Sequence, residues 1–279
     1  MKKVAVIQDL SSFGKCSLTA AIPVLSVMGV QACPLPTAVL SSQTEYPSYF
    51  CEDLTRIIPA FTNEWKKLDV SFDGIQTGYI TGKEEIHHIL DFLEHFHTSE
   101  TLLLVDPVLG DKGKAYDNFD AELLKQMKVL VAQADIITPN ITECCLLTGY
   151  DYDTLHSCTS EEDFLNIVEE AGKQLQNATG AEIIITGVHP PSKDHSVGNL
   201  YISENETYYS SVPYNGKSYS GTGDLFASVL MGGRMRGMKT EQAIQLAEEF
   251  LVAAIEDTAL QNTPMVAGVN FETYLRMLL

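Results

Sequence analysis

The stretch Tyr219-Ser220-Gly221-Thr222-Gly223-Asp224-Leu225-Phe226-Ala227 sets two glycines one residue apart ahead of an acid, and an apolar run continues to Met231, with Gly232-Gly233 as a small-residue stop. Physically this is a tight turn opening into a buried helix. Gly221 and Gly223 lack a Cβ, so the backbone there can take unusual dihedrals and press against a ligand. The first N–H groups of the new helix have no partner inside it and point outward with the positive end of the helix dipole, an arrangement suited to phosphate. A carboxylate beside a bound anion is repelled by it. Asp224 therefore makes sense as a general base that takes a proton from an attacking hydroxyl. The competing reading is an ordinary helix cap. A dinucleotide fingerprint is excluded because Phe226 stands where a third glycine is due, and a P-loop because no Gly-Lys-Ser/Thr follows.

Just upstream, Val197–Ile202 and Thr207–Val212 read as a hairpin around Glu204-Asn205. Downstream, helices are expected over Thr240–Glu256 and Phe271–Leu278. Towards the N-terminus, strands are expected at Val4–Ile7, Val30–Leu35, Asp73–Gln76, Leu102–Val105, Ile136–Ile137 and Ile183–Ile185, the second at a sheet edge because of Pro34 and Pro36. Helical patterns alternate with them at Cys16–Met28, Glu52–Leu68, Lys83–Phe96, Phe119–Val131, after Glu143 to Leu147, and at Ser160–Leu175. The polar segment 37–49 reads as a flap. Unbroken alternation argues for a three-layer α/β/α fold with a mostly parallel central sheet, built as one domain over 1–279.

The chain has 279 residues and a formal net charge of −19, from 37 acids against 18 bases. That balance argues against nucleic acid and anionic membrane as partners. An anionic substrate would need local cations, backbone N–H groups or metal. The six cysteines contain no Cys-x-x-Cys pair, Cys144-Cys145 reads as an apolar helix face, and no apolar run approaches a membrane span. Met1-Lys2-Lys3 runs directly into a strand without a cleavage pattern, so a reduced, cytoplasmic protein is expected.

In open parallel sheets ligands sit beyond the carboxyl ends of the strands. The polar residues that follow the strands are Asp9, Tyr79, Asp106, Asp111, Asn140 and Glu143, on the same expected rim as the glycine turn. Asp9, Thr138 and Asn140 also read as helix caps. Asp106, Asn140 and Glu143 offer hard oxygens of the kind that suits magnesium. Lys112 and Lys114 are candidates to reach phosphate oxygens, or are solvated loop lysines.

Taken together, Gly221-Thr222-Gly223-Asp224, Asp106-Pro107-Val108-Leu109-Gly110-Asp111 and Thr138-Pro139-Asn140-Ile141-Thr142-Glu143 resemble the ribokinase-like small-molecule kinases, and among these the pyridoxal kinases. Val6-Ile7-Gln8, the segment Leu40 to Tyr46 and Thr77-Gly78-Tyr79 add to the resemblance, which runs from residue 4 to about 230. It implies ATP-dependent phosphorylation of the 5′-hydroxymethyl group of pyridoxal, pyridoxine or pyridoxamine, with Mg2+, a homodimer, and stimulation by K+ or Na+. By resemblance Asp224 is the base, and Gly221, Thr222 and Gly223 form the anion hole. Asp106 and Glu143 serve the metal. Asn140, Glu143, Thr186 and Lys217 match nucleotide positions, Asp111 and Tyr116 the loop between substrate and nucleotide, and Thr44 and Tyr79 the surroundings of the ring. Phosphoryl transfer has a loose transition state, so a weak base at a helix N-terminus suffices.

One departure stands out. Pyridoxal kinases usually carry a Ser-His pair after the first Ile-Gln and an Asn a few residues on, where this chain has Asp9-Leu10 and then Ser17. Asp9 is thus expected at the ring, paired with a pyridinium or a protonated amine. An early Asp is also seen in the hydroxymethylpyrimidine kinases of thiamin synthesis, which form the second reading. A non-catalytic ligand-binding homologue is a third, against which the intact Asp224 and Asp106/Glu143 argue. A sugar kinase is disfavoured by the short flap.

Overall fold

Four consecutive residues of the first strand, Val4 to Ile7, are 0% exposed, so both faces of that strand are covered. This is the burial a β-branched parallel strand requires. The computed structural model describes residues 1–191 and 195–279. In chain order its strands are β1 (Lys3–Ser11), β2 (Gln31–Leu40), β3 (Cys51–Asp53), β4 (Gly74–Thr77), β5 (Leu102–Val105), β6 (Gly110–Asp111), β7 (Lys114–Ala115), β8 (Ile136–Ile137), β9 (Glu182–Val188), β10 (Ser196–Ile202) and β11 (Thr207–Pro213). Its α-helices are α1 (Ser17–Val27), α2 (Ile58–Lys67), α3 (Lys83–Phe96), α4 (Ala121–Val131), α5 (Ile141–Thr148), α6 (Tyr152–His156), α7 (Glu161–Thr179), α8 (Thr222–Met235) and α9 (Thr240–Leu260). The class is α/β with a largely parallel sheet and helices on both sides.

The chain packs as two compact units, one formed by Met1–Leu104 with Lys217–Leu279 and the other by Val105–Gly216. In the first unit the strand order is β5-β4-β1-β2-β3. β1 pairs in parallel with β2 and β4, and β3 closes the edge antiparallel to β2 over Ala38–Leu40. Pro34 and Pro36 fall on the part of β2 that β3 does not reach, where a missing N–H costs no ladder bond. Trp65, Phe72, Phe92 and Phe96 pack α2 against α3, with ring centroids 4.6 Å apart for Phe92–Phe96 and 5.3 Å for Trp65–Phe72. Each side chain of this size contributes roughly 1.5–3 kcal/mol when fully buried.

In the second unit β8 pairs in parallel with β9, and the β9-β10-β11 side is antiparallel. Ile183, Ile184 and Ile185 are all 0% exposed. The expected hairpin of Val197–Ile202 with Thr207–Val212 is present as β10–β11.

Several boundaries differ from the sequence reading. The flap begins later than residue 37: Thr37 is 0% exposed and lies within β2, and its hydroxyl donates to the Tyr79 carbonyl at 3.1 Å. The expected helix over Glu52–Leu68 is instead β3, a short 3-10 turn at Thr55–Ile57 and α2. Gly232-Gly233 does not stop α8, which runs on to Met235. Gly232 faces the Met28 side chain, and a Cβ on Gly233 would lie 2.8 Å from that of Ala243, so these glycines permit close helix packing. The last expected helix is a 3-10 segment, Glu272–Leu278.

Candidate active site

In the first unit Gly221 is the N-cap of α8 with φ +79°, a left-handed conformation that L side chains resist. A Cβ there would also run into the Lys15 carbonyl and lie 2.9 Å from Cys16 Cα. The turn therefore needs glycine twice over, for its dihedral and for the chain that passes against it. The turn places Asp224 in the first turn of α8, where its Oδ2 accepts the Ser17 N–H at 2.8 Å. Ser17 opens α1 with φ +49°. Its hydroxyl donates to Asp9 Oδ1 at 2.5 Å, and the Ser11 hydroxyl donates to Asp9 Oδ2 at 2.8 Å. Asp9 is 4% exposed.

Burial raises Asp224 to about 7, with the Asp9 charge adding to the rise and the Ser17 N–H opposing it. Burial likewise raises Asp9, against the Ser17 and Ser11 hydroxyls. A helix N-terminus alone would favour the ionised form, but desolvation is the largest influence on Asp224 and raises it against the Ser17 N–H.

The flap is tied to the same turn. Gln43, 6% exposed, donates through Nε2 to the Val266 carbonyl at 2.9 Å, and the Ser220 hydroxyl donates to Glu45 Oε2 at 2.8 Å. Thr44 between them is exposed. Tyr79 is half-buried, and burial together with the Asp9 charge pushes its phenol up to about 12. Lys217 is exposed.

In the second unit α5 begins with a capping box. Asn140 Oδ1 accepts the Glu143 N–H at 3.0 Å, and Glu143 Oε2 accepts the Asn140 N–H at 2.8 Å. Glu143 Oε1 accepts the Leu109 N–H at 3.1 Å, so this carboxylate binds the Asp106–Asp111 loop to the helix. Asn140 Nδ2 donates to the Gly110 carbonyl at 2.8 Å, and Asn140 bridges to Thr186 at the end of β9. Val108 holds φ +24° in the same loop, an outlier for a β-branched residue. Burial raises Glu143 to about 7 against the Asn140 and Leu109 N–H groups, with Asp111 adding to the rise.

Asp111 is exposed, accepts the Lys112 N–H at 2.8 Å and lies 3.6 Å from the Lys112 ammonium. Tyr116 is 42% exposed, just beyond the small β6–β7 hairpin. Asp106 is half-buried. Among the described residues no cluster of three or more His, Cys, Asp or Glu stands ready to hold a metal ion. Both oxygens of Glu143 are taken up by the Asn140 and Leu109 N–H groups, so a magnesium here would rest mainly on its waters and on substrate phosphates. Among the described residues no helix is long and apolar enough to cross a membrane.

The residues brought together in the first unit are thus Asp9, Ser11, Ser17, Gly221 and Asp224, and in the second Leu109, Gly110, Asn140, Glu143 and Thr186. Sequence reasoning left out Ser11 and Gln43 and gave Ser17 no role. A serine ahead of an apolar helix reads as its cap, whereas the N-cap here is Cys16. The Asn-x-x-Glu spacing of 140 and 143 is a capping-box signature, and it was legible.

A family model described as phosphomethylpyrimidine kinase matches residues 12–269. A Bacteroides thetaiotaomicron structure described as a phosphomethylpyrimidine kinase, in a crystal form with pyridoxal, is 38% identical, covers 99% of this chain and 95% of its own, and superposes with a TM-score of 0.92. Pyridoxal kinase from Lactobacillus plantarum is 32% identical over 100% of this chain and 96% of its own, with a TM-score of 0.88. The hydroxymethylpyrimidine/phosphomethylpyrimidine kinase of Bacillus subtilis is 26% identical over 91% of this chain and 83% of its own.

Proposed function

Because the chain belongs to the phosphomethylpyrimidine kinase family, as a phosphotransferase acting on an alcohol group, we propose that it transfers the terminal phosphoryl group of ATP to the 5′-hydroxymethyl group of a vitamin B6 vitamer. The observation that carries the chemistry is the Asp224 carboxyl, held on the Ser17 N–H at the N-terminus of α8 and raised to about 7. What supports the substrate is the 32% identity to a pyridoxal kinase along the whole chain, together with pyridoxal in the crystal of a 38% identical relative.

In this reading Asp224 accepts the hydroxyl proton as the new P–O bond forms. The N–H groups of Gly221, Thr222 and Gly223 hold the transferring phosphoryl, and Thr44, Tyr79, Asp111 and Tyr116 hold the acceptor. Asn140, Glu143, Thr186 and Lys217 serve the nucleotide. Mg2+ beside Asp106 and Glu143 would offset phosphate charge. The 1–279 chain acts as one kinase domain in a cytoplasmic homodimer, with K+ or Na+ as a stimulating ion.

The second reading is a hydroxymethylpyrimidine kinase, favoured by the family model and by the Bacillus subtilis relative. ADP release measured on pyridoxal, pyridoxine, pyridoxamine and hydroxymethylpyrimidine separates the two. The B6 reading expects the highest kcat/KM on a vitamer; a preference for the pyrimidine overturns it.

A further inference from the structure

We propose that Ser17 is a positioning residue for phosphoryl transfer, held by Asp9 in a left-handed backbone conformation so that its N–H orients the Asp224 carboxylate. The inference rests on the reading of Asp224 as the base. Ser17 is the first residue of α1, where the helix calls for a φ near −60°; instead it stands at +49°. A residue with a Cβ adopts that conformation only against steric strain, so something must hold it. The hydroxyl supplies the hold, donating to Asp9 Oδ1 at 2.5 Å.

Asp9 is itself a fixed anchor. It lies in β1 at the register shift against β2, between Gln8 and Leu10, and its other oxygen accepts from Ser11 at 2.8 Å. At 4% exposure, with an oxygen committed to each serine, Asp9 faces the protein. The acid expected at the ring is here bonded to Ser17 and Ser11. The result at the far end is geometric. The Ser17 N–H belongs to the first turn of α1, where backbone donors have no partner within their own helix. It is aimed at Asp224 Oδ2 at 2.8 Å. One carboxylate oxygen is thereby pinned, which leaves the orientation of the other set for the hydroxyl proton. Ser17 is 6% exposed, which keeps water from competing for the bond.

The backbone role separates from a simple hydroxyl contact by comparing alanine with glycine. Both remove the hydroxyl, but only glycine takes a positive φ without cost. With ATP saturating and the preferred acceptor varied, Ser17→Ala is expected to lower kcat about 10- to 100-fold while the acceptor KM moves less than about threefold. Ser17→Gly is expected to recover most of that loss. Asp9→Ala is expected to match Ser17→Ala, and in the Ser17→Gly background to change kcat by less than about threefold, since no hydroxyl remains to be held. Equal losses for alanine and glycine overturn the proposal, as does a raised acceptor KM with kcat intact, which would place Ser17 or Asp9 on the substrate. If Ser17→Ala does not fold, Asp9→Ala measured with and without Ser17→Gly decides by the same criterion. Absence of ADP release by the unmodified protein on every vitamer and on hydroxymethylpyrimidine is a different result, and sinks the kinase reading first.

Discussion

Replacing Asp224 by asparagine should abolish turnover and yet stabilise the fold. The amide oxygen can still accept the Ser17 N–H that now reaches Asp224 Oδ2 at 2.8 Å, so the turn keeps its tie to α1. What disappears is the proton acceptor, a loss of about 10²–10⁴ in kcat. The stability effect follows from burial, which raises the carboxyl from 3.8 to about 7. An acid whose folded value is raised is bound to its proton more tightly in the native state. Its contribution is whole below the unfolded value and is lost as pH rises through the folded one. Bringing a carboxyl from 3.8 to about 7 corresponds to an upper bound of about 4 kcal/mol at pH 8, which solvent around the partly exposed group reduces. Asparagine does not titrate. The stability gap in favour of the variant should therefore widen between pH 5.5 and 8, by up to about 2 kcal/mol, or several degrees in Tm. The assays are ADP release and thermal unfolding across that range. Turnover above a tenth of the unmodified level would refute the role as base, and a variant less stable at pH 8 than at pH 5.5, relative to the unmodified chain, would refute the burial argument.

Substitutions at three positions probe the scaffold by urea unfolding. Gly221→Ala meets both a φ of +79° and the chain at Lys15–Cys16, and is expected to cost more than about 3 kcal/mol and most of the activity. Gly216→Ala, at φ +77° with nothing within 4 Å, should cost only about 1–2 kcal/mol; similar costs for the two would show that the close approach is immaterial. Glu143→Ala leaves the Asn140 and Leu109 N–H groups without their acceptor and should destabilise by about 2–4 kcal/mol, whereas Glu143→Gln keeps one acceptor and should lose about half as much. Equal losses from Ala and Gln would mean that the charge and not the bonds matters.

Legibility followed the physics of each segment. The strand Leu102–Val105 and the helix Lys83–Phe96 carry an apolar run and a helical period, and the structure places both at the expected bounds. β3 could not be read, because Cys51–Asp53 is exposed and becomes a strand only through its backbone pairing with Ala38–Leu40. The same holds for the two-residue strands β6 and β7, whose turn depends on positive φ at Lys112 and Gly113. At the candidate site the glycine turn was legible and the strength of its acid was not. Sequence places Asp224 at a helix start, but only packing reveals how far water is removed from it and how close Asp9 comes. Ser17 hides for a related reason: nothing in a serine announces a left-handed backbone.

The acids of this chain also bear on how a protein of net charge −19 can work on an anion. In the first unit burial raises Asp9, Asp224 and Glu85, the last to about 8, and in the second it raises Glu143 to about 7. Burial thus shifts Asp224, Glu85 and Glu143 toward their neutral forms, which lowers the charge the folded chain carries near neutral pH. In the proposed mechanism a phosphate arriving at the glycine turn is a further negative charge and pushes Asp224 higher still. For Asp224 that movement is counterproductive, because a protonated base accepts nothing. The Ser17 N–H acts in the opposite sense, stabilising the ionised form. As the proposed base, Asp224 is balanced between desolvation, which strengthens it, and the Ser17 N–H, which favours its ionised form as the phosphoryl group arrives; removing that donor should cost rate even where the carboxylate itself is untouched.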